Sequence, residues 1–264
     1  MKTRLALCLL AAALAYGATA RGAARITWFP QEFTCPVCQT KNTFLVVGSY
    51  GSYIYQDASK FELIFWPLTD SPTVYSCKKC RVSAFMGDFE ALPKEKHEEL
   101  RKRVEGFKLE YARPAERYDD GADYLRIPST QRLLAAEQTY QALGRDDDFW
   151  CRFYRVLGHH HAAHKQQAQA DEARRKALSI AERMLADKAR AGERKELLYV
   201  TGAMRHFLKD DAGALRDFRE AEGLKYSNAG IGPEKSKNYD EFLSDLLRQY
   251  FELLGGKGAK RPAA

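Results

Sequence analysis

The sequence predicts an α+β protein in which a small cysteine-bearing β module precedes a helical domain. Two pairs of cysteines, Cys35-Pro36-Val37-Cys38 and Cys77-Lys78-Lys79-Cys80, lie in a stretch rich in aromatic and β-branched residues. Beyond residue 129 the composition changes to Ala, Leu, Arg, Glu and Lys, with apolar residues at helical spacing.

The elements follow in order. Lys2 and Arg4, an apolar run over 5–16 and the small residues Ala18-Thr19-Ala20 read as a secretory signal peptide over 1–20. Export is therefore expected, to a periplasmic or secreted location. The apolar run is too short to serve comfortably as a permanent membrane span. Over 26–92 the runs Thr43-Phe44-Leu45-Val46-Val47 and Phe61-Glu62-Leu63-Ile64-Phe65-Trp66 read as short strands, broken by Gly48, Gly51, Pro67 and Pro72. The segment 93–128 opens at Pro93 with a connecting helix, Leu100, Val104, Phe107 and Tyr111 on one face, and continues as a polar loop. Residues 129–254 form the helical domain, and 255–264 a disordered tail. The net charge of +7, or +5 once Lys2 and Arg4 leave with the signal, is too diffuse to argue for a nucleic-acid partner.

A two-residue gap lets one turn aim both sulfurs of a pair at one point, and two such turns can enclose a tetrahedral ion. Cys35, Cys38, Cys77 and Cys80 are thus expected to hold one structural Zn²⁺ in a zinc-ribbon-like module, with Lys41, Lys78, Lys79 and Arg81 near its charge. Disulfide or redox chemistry competes with this, because an exported protein meets an oxidising environment. Gln39 and Arg81 stand where a haem-attachment motif needs histidine, which excludes haem.

The helical domain carries an imperfect repeat. Gly202 is followed by Ala214, Phe218 and Ala221, and Gly158 by Ala170, Arg174 and Ala177, and the small Gly and Ala residues let two antiparallel helices approach closely. This is a tetratricopeptide-like pattern, with Arg174 where the second unit has an aromatic ring. The glycines are further apart than the usual 34 residues, which predicts an extended helix over 166–191. In such hairpins the first helix faces a groove. Here its groove positions are Arg152, Arg155, His159 and Ala162, then Glu196, Tyr199, Ala203 and His206. Cations and aromatic surface there suit an acidic protein or peptide segment.

The order CPVC, Phe44, Tyr75-Ser76-Cys77-Lys78-Lys79-Cys80, Ala84-Phe85 and Asp88-Phe89, followed by repeat-like helices, resembles the bacterial family catalogued as domain of unknown function 2225. Gln39 and Arg81 stand where glycine commonly follows each pair in that family, and Lys78 where proline is common. Those glycines ease a positive-φ position in each turn. The resemblance implies the two-part architecture and brings no established activity.

Other motifs are weaker. His159-His160-His161-Ala162-Ala163-His164 lacks the glutamate of a zinc-peptidase helix and reads as a solvated cluster. Asp119, Asp120 and Asp123 lack calcium-loop spacing, and Cys151 reads as a buried small apolar group. The function expected is a zinc-binding, non-enzymatic scaffold for protein interaction. The alternative is an envelope thiol–disulfide oxidoreductase using one CxxC pair.

Overall fold

The computed structural model describes residues 27–50, 58–107 and 122–255. The signal segment 1–20, most of the tail, and Asp119 and Asp120 lie outside the described residues. The architecture is α+β. Strand β1 (Thr27–Thr34) pairs antiparallel with β2 (Lys41–Ser49), and β3 (Val74–Ser76) with β4 (Ser83–Phe85), as two separate hairpins. Among the described residues seven α-helices follow: α1 (His97–Glu105), α2 (Ser129–Leu143), α3 (Asp147–Ala163), α4 (Gln167–Ala186), α5 (Arg194–Phe207), α6 (Asp211–Glu222) and α7 (Pro233–Gly255). Among the described residues no helix is long and apolar enough to cross a membrane.

Phe33 of the first hairpin and Tyr75 of the second meet in one aromatic cluster, and every residue of β3 and β4 is buried. Phe44 stacks on Tyr75 at 4.2 Å between ring centres and meets Phe89 and Tyr124 edge-on, each at 5.0 Å. Such pairs add to the area they bury. This core continues without a break into Leu100 and Val104 of α1, Leu133 and Tyr140 of α2, and Phe153 of α3. The β module and the first helices are therefore packed as one body across the segment 93–128. Tyr140 Oη fastens them, donating to Asp88 Oδ2 at 2.8 Å and accepting from the Phe85 amide at 2.8 Å.

Two helical hairpins form as the repeat spacing predicts. Asp146 and Asp210 cap α3 and α6, accepting from the amides of Phe149 and Gly213 at 2.8 and 2.9 Å. Gly202 has no room for a side chain, since a Cβ there would come within 2.4 Å of the Phe218 ring. The extra length between the repeat glycines goes into the 20-residue α4 and a 3₁₀ helix, Lys188–Glu193. The helix expected to reach residue 191 thus ends at Ala186.

Two expectations are corrected. The run Phe61 to Trp66 is not a strand: Ala58–Glu62 is a 3₁₀ helix followed by turns, and Leu63 has φ of 50°. Its apolar residues diverge, Ile64 entering the core of the β module while Phe61, Leu63 and Phe65 pack on the helices. A strand would need them to alternate across one sheet. Nor is the histidine cluster a solvated face, because His160 and His161 are buried. His160 Nδ1 lies 2.9 Å from Ser129 Oγ and Nε2 lies 2.9 Å from the Leu68 carbonyl, an arrangement that serves a neutral ring. Burial pushes the His160 imidazole down to about 3.

Candidate metal centre

Both cysteine pairs occupy hairpin tips, and the backbone explains their shape. The Gln39 amide donates to the Cys35 carbonyl at 2.9 Å, and the Arg81 amide to the Cys77 carbonyl at 3.0 Å. The amides of Cys35 and Cys77 return to the carbonyls of Thr40 and Val82 at 2.9 and 3.0 Å. The two turns are thus built alike, each closing one residue past its CxxC. That residue must be left-handed, and Gln39 and Arg81 take φ of 58° and 66°. Glycine would do so without strain, whereas a side chain costs roughly 1–2 kcal/mol. Gln39→Gly is expected to raise stability by about 0.5 kcal/mol and Gln39→Val to lower it by about 1 kcal/mol or more, measured by urea unfolding.

The tips face one another. Cys35 Sγ lies 3.6 Å from Cys80 Sγ, Cys38 Sγ lies 3.5 Å from Cys77 Sγ, and all four sulfurs fall within 4.8 Å of one another. Metal–sulfur bonds of ~2.3 Å in a tetrahedron require sulfurs about 3.8 Å apart. The four cysteines are free thiols and can hold a metal ion. Cys35 and Cys77 are buried, while Cys38 and Cys80 are half-buried.

No protein-family model, curated protein or solved structure matches this chain. Its chemistry must be argued from its own residues. Buried Asn42 ties the two tips together, donating to the Thr40 carbonyl at 2.8 Å and accepting from the Lys78 amide at 2.9 Å, with its amide nitrogen 3.7 Å from Cys77 Sγ. Thr40 Oγ1 lies 3.3 Å from Cys38 Sγ. From α1, Arg101 donates to the Val37 carbonyl at 3.0 Å and fixes the first tip. These supporting groups escape motif reading because their spacing carries no signature. Of the flanking cations, Lys41 pairs with Glu32 at 2.7 Å, and Lys78 and Lys79 are exposed.

Protons and a metal ion compete for these sulfurs. Hydrogen bonds from Cys35 and Cys80 hold the Cys77 thiol well below the usual range. The hydrogen bond with Cys77 pushes Cys35 up to about 12, and hydrogen bonds with Cys35 and Cys77 raise Cys80. Protons on Cys35 and Cys80 must therefore leave before a cation can take all four sulfurs, while Cys77 is already poised as a thiolate. Cys151 stands apart, buried against α4 with Sγ 3.8 Å from the Ala177 carbonyl, and its thiol is pushed up by burial.

The predicted groove residues are divided. Arg155, His159 and Tyr199 converge on one segment of the chain itself, residues 58–63. Arg155 and Tyr199 are buried there. Arg152 is exposed to solvent, and His206 is engaged by Asp211, with Nδ1 to Oδ1 at 2.7 Å. Arg174, which stands in the place of the missing aromatic ring, lies 4.4 Å over the Phe207 ring and donates to Glu62 Oε1 at 2.8 Å. Its departure from the repeat pattern was the signal of that role.

Proposed function

We propose that Cys35, Cys38, Cys77 and Cys80 hold one structural Zn²⁺ in an exported protein, and that the helical stack is a non-enzymatic scaffold for a protein or peptide partner. The observation that carries the metal reading is the meeting of two similarly built turns with four sulfurs within 4.8 Å of one another. An all-thiolate set suits Zn²⁺, and four protein ligands leave no open position for catalysis. Kinship with the family of the cysteine frame belongs to this proposal. Its support is that Gln39 and Arg81, at the places where glycine is common there, take positive φ.

One observation favours the second reading, an envelope thiol–disulfide oxidoreductase. Cys38 and Cys80 open on a cavity of about 340 Å³ that Lys79, Arg81 and Arg101 also line. Two sulfurs reachable from solvent are what thiol exchange needs. A strand-to-helix setting is absent from both pairs, since each sits between two antiparallel strands.

Protein purified from the envelope fraction decides between them. The scaffold reading expects an N-terminus at Arg21, one zinc per chain by elemental analysis, and cysteines that react with thiol reagents only after chelation. A metal-free protein whose Cys35–Cys38 pair cycles with a dithiol would establish the redox reading instead. An intact Met1 in the cytosol would overturn export.

A further inference from the structure

The groove of the helical stack is filled by a strap of the chain itself, residues 58–68. Tyr199 and Tyr250 both donate to the Phe61 carbonyl, at 3.2 and 3.4 Å, and Arg155 Nη1 donates to the Glu62 carbonyl at 2.9 Å. Three helices thus read the strap through its backbone, a mode indifferent to its side chains. One strap side chain is read by charge. Glu62, 2% exposed, receives Arg174 at Oε1 and places Oε2 at 3.5 Å from His159 Nδ1. Aromatic rings flank it, with Phe61 edge-on to Tyr250 at 4.8 Å and Phe65 beside Phe242 at 5.9 Å.

The seating is imperfect. Glu62 Oε2 and Trp66 Nε1 are buried without a hydrogen-bond partner. A buried polar group left unsatisfied carries its full desolvation cost, so these two strap side chains regain water when the strap leaves the groove, which favours its displacement. The groove also contains more recognition chemistry than a strap already tethered on both sides needs in order to stay nearby, since Ile64 is anchored in the first core.

We propose that this groove is a peptide-binding site occupied in cis by the strap. Its partner in trans is a peptide segment carrying a carboxylate next to an aromatic residue, held by Arg174, Arg155 and Tyr199. The inference rests on the scaffold reading above and deepens it.

The test uses the mature full-length chain and a fluorescent peptide with the sequence of residues 58–68. Glu62→Gln alone, and Phe61→Ala with Glu62→Gln, weaken the strap without touching the groove. The peptide is expected to bind the weakened chains saturably and at least tenfold more tightly than the parent, where the strap competes. A peptide with Gln in place of its Glu should bind at least tenfold more weakly, and adding Arg174→Met should erase that difference. Circular dichroism and metal content should match the parent. A folded variant that ignores the peptide, or that binds a scrambled peptide equally, overturns the proposal. So does failure of both variants to fold, which would make the strap core and not ligand. Metal-free protein that still binds the peptide would sink the zinc reading alone.

Discussion

Cys77→Ser is expected to abolish metal binding and to unfold the two β hairpins. Metal binding by such a cluster contributes apparent folding free energy on the order of 10 kcal/mol. Neither hairpin has more than two strands, and a lone hairpin is marginal in water. The damage should extend past the module, because Phe44 and Tyr75 share one core with Leu133, Tyr140 and Phe153. Limited proteolysis is expected to open α1 and α2 as well, while α5, α6 and α7, packed in the second core around Tyr199, Phe218 and Tyr250, stay protected. Chelation of the parent should reproduce this pattern. Acid should weaken metal binding, because protons reclaim the sulfurs: Cys35, pushed up to about 12 by its hydrogen bond with Cys77, must lose its proton to bind at neutral pH. Apparent affinity should therefore fall as pH falls, by about tenfold or more per unit. A variant with unchanged melting temperature and unchanged proteolysis would remove the metal from the stability of this protein.

Arg132→Met is expected to cost about 3 kcal/mol or more, because it leaves several buried acceptors without their charged donor, at roughly 1–3 kcal/mol each. Arg132 is completely buried. Nε donates to the Ile127 carbonyl at 2.8 Å, Nη1 to the carbonyls of Ser71 and Val74 at 2.9 and 2.5 Å, and Nη2 to Ser71 Oγ at 2.6 Å. Its guanidinium also lies 5.0 Å over the Tyr124 ring. One side chain on α2 thereby satisfies three carbonyls and fixes the approach to β3. Methionine keeps most of the volume and leaves those acceptors buried without donors. Arg132→Lys should rescue little, because a single ammonium cannot span the fork. Urea unfolding measures the loss, and a change below about 1 kcal/mol would show that water replaces the guanidinium.

The sequence by itself determined the parts of this protein whose physics is local or periodic. Two-residue gaps set the cysteine turns. The small residues after Gly158 and Gly202 set the helical hairpins, because only a missing Cβ lets Phe218 lie against Gly202. The caps at Asp146 and Asp210 are equally local, each a hydrogen bond to an amide three residues on. The tertiary structure alone decided the rest. The run Phe61 to Trp66 has the composition of a strand, yet two cores on opposite sides pull its apolar residues apart. His160 reads as solvated until Ser129 and the Leu68 carbonyl, far away in sequence, close over it. Gln39 and Arg81 accept a backbone that glycine would take more easily, since turns closed on both sides over-determine their conformation. Arg155 and Tyr199, expected to face a partner, instead meet a segment of the chain itself, 93 and 138 residues earlier. Contacts at that separation leave no period in a sequence, because only the folded chain brings their two halves together.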